Sequence, residues 1–92
     1  SSYAKSWVKI TKWVDFCLGV AGIVPTYAAL ASKQDAKTIT LVLANTCWNA
    51  NRIMTPFADP KKSPKLYAGK MALIAFYGVG QAAVFVEDET IE

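Results

Sequence analysis

Three apolar runs, separated by two short polar stretches, organise this chain. From Trp13 to Ser32 the only charged residue is Asp15, and from Met71 to Val86 there is none. An amphipathic helix on a soluble domain carries charged or polar residues along a wet face. Neither run has such a face, so both read as helices with apolar surroundings. Trp13–Ala31 covers about 19 residues, or about 28 Å at the helical rise, close to the hydrocarbon thickness of a bilayer. Pro25 removes one hydrogen bond from this helix and predicts a bend near Ala21.

The middle run is patterned differently. Ile39, Val42, Leu43, Cys47, Ala50, Ile53 and Met54 recur at helical spacing, which defines an apolar stripe. Asn45, Asn49 and Arg52 stand on the other side, four and three residues apart. The helix is therefore amphipathic. Its apolar part, Ile39–Met54, reaches about 24 Å, short for a free span. It is expected to cross within a bundle with its polar side inward; lying along the interface is the alternative. "KQDAK" (Lys33–Lys37) reads as a turn, and the three prolines of "TPFADPKKSPK" as an exposed loop. The predicted elements are helices over about residues 6–32, 38–55 and 65–86, followed by a solvated acidic tail, 87–92. The expected fold is all-α: one small integral membrane domain, 1–92, with two to three transmembrane helices and an amphipathic middle one.

Composition agrees. The chain has 92 residues, 53% hydrophobic and 18% charged, against a usual charged share of about 25%. Trp7, Trp13, Lys12 and Lys70 flank the apolar runs as interfacial anchors, ring at the headgroups and ammonium reaching outward. The net charge is +3, but the lysines border hydrophobic segments with no phosphate-reading motif, which excludes a nucleic-acid reading. Three spans would put Lys5, Lys9, Lys12, Arg52, Lys61, Lys62, Lys65 and Lys70 on one side, with only Lys33 and Lys37 opposite. Two spans would leave Lys5, Lys9 and Lys12 facing the rest, and either division satisfies a positive-inside bias. The start has no apolar signal-peptide core, and Ser1-Ser2 would suit a processed mature end.

Candidate chemistry is sparse. There is no histidine, hence no common general base, zinc ligand or haem ligand. Cys17 and Cys47 have no metal spacing and are expected as buried free thiols. No metal site and no catalytic constellation are expected, and the chain reads as a non-enzyme. Gly19 and Gly22, then Gly78 and Gly80, should let another helix or a flat ligand approach closely. Asp15 lies one turn inside its segment, within reach of Lys12, as an interfacial carboxylate or a polar contact to a partner. Asn45, Asn49 and Gln81 offer hard oxygen donors of the kind chlorophyll magnesium accepts. Arg52 should dock on a carboxylate, a headgroup or carbonyls.

The expected function is a non-catalytic accessory subunit of a large bioenergetic membrane complex. A photosystem or its antenna interface in the thylakoid membrane comes first, with chlorophyll and carotenoid contacted through the parent complex and with other subunits and lipids as partners. An accessory subunit of a respiratory or ATP synthase complex in the mitochondrial inner membrane is the alternative.

"KKSPKLYAGKM" (Lys61–Met71) is similar to the loop and helix start of the mitochondrial pyruvate carrier family, whose members are short three-helix chains. That resemblance covers eleven residues and implies a small carrier protomer, with Lys70 and Asn49 facing a central substrate path. The family continues with a further membrane helix, whereas only six residues follow Val86, so the carrier ranks behind. Light-harvesting antenna helices carry an E-x-x-N-x-R pattern. Here Asn49 precedes Arg52 by three positions and Thr46 stands where the glutamate would be, so that motif is absent. A soluble bundle binding a hydrophobic ligand is the remaining class.

Overall fold

A computed structural model describes the backbone of residues 2–91 and the side chains of residues 4–86. It contains three helices: α1 (Ser2–Ser32), α2 (Ala36–Met54) and α3 (Pro64–Ile91). All three expected helices are present, each starting earlier than the apolar pattern alone suggests. α1 runs through Pro25 as one element. Its backbone there gains a side-chain bond, as Thr26 Oγ1 donates to the Gly22 carbonyl at 2.7 Å. α3 continues to Ile91, so the backbone of the acidic segment is helical instead of forming a separate tail. The expected solvation of its side chains falls outside the described residues.

The connections are set by local chemistry. Asp35 caps α2: its backbone is extended and its carboxylate accepts the Thr38 N–H at 2.9 Å. Hydrogen bonding from the Thr38 side chain first, and from its backbone N–H second, holds the Asp35 carboxyl down at about 2, from an ordinary 3.8, with the nearby Lys33 ammonium helping. The Lys33–Asp35 ion pair is 3.5 Å long and exposed. α2 stops where Pro56 supplies no N–H, and the Phe57 and Ala58 amides turn back to the Met54 carbonyl at 2.9 Å each. Asp59 Oδ1 then accepts the Lys61 and Lys62 amides at 2.7 and 3.0 Å. These bonds lower the Asp59 pKa. Pro64 opens α3, where a missing N–H costs nothing.

α2 lies between α1 and α3 and packs on both; among the described residues α1 and α3 do not touch. Tyr27–Thr46, Thr26–Asn49 and Trp13–Phe57 descend α1 as they climb α2. Ala44–Gly80, Trp48–Tyr77 and Met54–Gly69 do the same between α2 and α3. The helices are thus antiparallel neighbours in an elongated bundle of 52 × 23 × 20 Å. α2 runs alongside its partners and not across their ends.

The interior is thin. The buried apolar side chains among the described residues are Val42, Ala44, Ala58 and Val84. Exposed large ones include Leu18, Val24, Leu43, Phe76, Val79 and Phe85. Two helical stretches, Ala4–Ser32 and Pro64–Val86, are long and apolar enough to cross a membrane; α2 is not. The helical stripe of α2 is corrected in one respect. Leu43 is 62% exposed while Asn49 is 8% and Asn51 4% exposed. A helix gripped on two opposite sides buries whatever points at its neighbours, and here that includes amides. The thiols are a second correction. Both are free, but Cys17 is exposed and Cys47 half-buried, because neither α1's outer side nor the α2–α3 groove is covered.

Candidate docking site

The α1–α2 seam is built on close approach. A Cβ on Gly22 would sit 2.5 Å from Asn49 Oδ1, and one on Gly19 2.7 Å from the Asn49 carbonyl oxygen. Only glycine allows the backbones so near. Within the seam Asn49 Nδ2 donates to Thr26 Oγ1 at 3.1 Å, and Thr46 Oγ1 lies 3.1 Å from the Tyr27 hydroxyl. Asn49 is therefore committed to α1.

The α2–α3 seam has one glycine contact of this kind. A Cβ on Gly80 would meet Ala44 Cβ at 2.7 Å, whereas one on Gly78 would meet nothing within 4 Å. Gly78 therefore takes no part in the α2–α3 seam and faces away from α2. Trp48 and Tyr77 meet with ring centroids 4.8 Å apart. Asn51 is buried, and its Oδ1 has no hydrogen-bond partner. Sequence reasoning missed this residue. The signal was its seven-residue spacing from Ala44, which puts both toward the same neighbour.

The remaining polar groups gather on one open side of α2. Asn45 is three residues before Trp48, Arg52 four after it, and Gln81 four after Tyr77; such neighbours share a helix face. The Trp48–Tyr77 contact joins these faces. By the register of the α2–α3 pairs, Asn45 stands level with Gln81. Both are half-buried, and among the described residues no hydrogen bond engages either side-chain amide. The Arg52 guanidinium carbon lies 5.8 Å from the centre of the Trp48 ring, within cation–π range. The structure thus brings together Asn45, Arg52 and Gln81 and separates Asn49 from them. Opposite lies a groove of about 330 Å³ lined by Leu43, Cys47, Phe76, Val79 and Ala83. Asn49 and Lys70, which a carrier would place on one path, belong to different seams: Asn49 faces α1 and Lys70 sits on α3.

Asp15 is half-buried, and no ion pair joins it to Lys12 among the described residues. The expected pairing is corrected: Lys12 lies in the field of Asp59 instead, across the end of the bundle. Trp7 and Trp13 are 52% and 44% exposed, as interfacial rings require. Trp13, Phe16 and Phe57 form an edge-to-face trio with centroids 5.4–6.1 Å apart, which ties the loop after α2 to α1. Compared with protein-family models, curated proteins and solved structures, the chain matches none.

Proposed function

We propose that this chain is a non-catalytic accessory subunit of a large photosynthetic membrane complex, seated in the thylakoid membrane between larger subunits. The observation that carries this reading is the pair Asn45 and Gln81. Asn45 on α2 and Gln81 on α3 stand at matching height on the same open side, half-buried and without a hydrogen bond among the described residues. At hydrocarbon depth lipid cannot satisfy an amide, and polar groups there normally face protein or a ligand. A neighbouring subunit or a pigment must therefore cover that side. An unengaged amide oxygen suits chlorophyll magnesium, a hard ion that takes oxygen donors. The apolar groove on the opposite side suits a carotenoid or an acyl chain. The exposed helices support the same reading, since a chain with so little buried apolar surface does not hold together in water.

The test is to isolate the native particle that contains the chain and record its absorption spectrum. Chlorophyll bands are expected, with less pigment or a lost neighbour when Asn45→Leu and Gln81→Leu are combined. A pigment-free particle sinks the photosynthetic part. Unchanged composition in the double variant sinks the docking role of these amides.

A further inference from the structure

The basic end of the bundle holds a second cleft that the docking side does not use. It encloses about 430 Å³ between the start of α1 and the loop after α2. Lys5, Lys9 and Lys12 rise from α1 on one side, and Lys62 comes from the loop on the other. Asp59 is the one carboxylate among the lining residues. Its Oδ1 is already occupied by the Lys61 and Lys62 amides. One carboxylate offsets one of the four lysines, which leaves an excess of three positive charges among the lining residues. The floor is aromatic, made by Trp13 and Phe57, whose rings are 5.6 Å apart.

The cleft opens sideways onto a purely apolar groove along α1, about 510 Å³, lined by Ile10, Trp13, Val14, Cys17 and Leu18. Lys9 and Trp13 border both. Charge at one end and a continuous hydrocarbon track leading from it match one class of molecule. We propose that this end of the chain binds an anionic phospholipid, its phosphate among Lys5, Lys9, Lys12 and Lys62 and one acyl chain over Trp13 and Leu18. Lysines near an anionic headgroup attract it, and tryptophan sits naturally at the headgroup boundary. A free phosphate would use the cleft and leave the track empty. An acidic peptide would likewise have no use for it. The inference rests on the membrane reading, but not on the photosynthetic one.

The full chain is reconstituted into vesicles with equal amounts of phosphatidylglycerol and phosphatidylcholine, extracted in mild detergent, and its retained lipids are counted by native mass spectrometry. Phosphatidylglycerol should be retained in excess. Lys9→Gln with Lys12→Gln should cut that excess by roughly fivefold for each lysine removed, the attraction of one lysine for an anionic surface. Lys33→Gln with Lys37→Gln, at the far end, should leave it unchanged, and circular dichroism checks that each variant stays helical. Equal retention of the two lipids overturns the proposal. So does an equal loss in the far-end variant, or complete displacement by inorganic phosphate. A chain that stays in the aqueous phase and never floats with phosphatidylcholine vesicles reports a different failure, that of the membrane reading itself.

Discussion

Gly22 and Gly78 look alike in the sequence and differ completely in the fold. A methyl group at Gly22 would collide with Asn49 Oδ1, 2.5 Å away, while one at Gly78 meets nothing. Gly22→Ala should push the Asn49 amide aside and strain the Asn49–Thr26 bond, costing about 1–3 kcal/mol as overpacking does. Gly78→Ala should be neutral, or slightly stabilising by helix propensity. Unfolding of the full chain in mixed micelles, titrated with sodium dodecyl sulfate, reads both; equal effects would refute the seam described. Asn51 points the other way. An orphaned buried amide oxygen costs about 1–3 kcal/mol, so Asn51→Leu should raise stability in the same titration. A loss instead would mean that Oδ1 has a partner in the membrane. The sequence showed that small residues and amides occupy these helices. It did not show which of them meet, because that depends on the rotation of each helix against its neighbour.

At the scale of elements, α2 decides the architecture, and its start depends on Asp35. The folded carboxyl is held at about 2, below its ordinary 3.8, because the charged form accepts hydrogen bonds from the Thr38 side chain and then from its amide. The cap is therefore complete above about pH 4 and is lost as pH falls through about 2. Amide hydrogen exchange at Thr38, corrected for the intrinsic pH dependence, should show strong protection at pH 5 and little at pH 2. Asp35→Ala should show the loose value at both. Protection that does not change with pH would mean that the cap is held by something else. The helices themselves were legible from the apolar runs. Their early starts were not: helical backbone hydrogen bonding continues into the polar residues that precede each apolar run. The Lys12–Asp15 pair, expected from its three-residue spacing, gave way to Lys12 facing Asp59, because the aromatic trio folds the loop over that face.

For the whole molecule, topology is the open measurement. Antiparallel packing puts the first turns of α1 at the same end of the bundle as the start of α3, so three spans would place the two termini on opposite sides of a bilayer. Protease-accessible tags at each end should be cleaved from opposite sides of sealed vesicles, and the chain should resist extraction by alkaline carbonate. Tags cut from the same side would mean that α2 does not cross. The arrangement also collects Lys9, Lys12, Lys62 and Lys70 at one end, which favours keeping that end on the positive side.

By itself the sequence determined the elements. Two charge-poor runs and a striped middle one lead to three helices, two of them long and apolar enough to span, because hydropathy and helical period are properties of the chain alone. Only the tertiary structure decided which residues are inside. Placing α2 between two helices that do not touch among the described residues buried Asn49 and Asn51, exposed Leu43, and turned Asn45 and Gln81 to one open side. Burial here follows from the relative rotation of helices, and that rotation is fixed by close contacts such as Gly22 on Asn49 and Gly80 on Ala44, which join residues far apart along the chain.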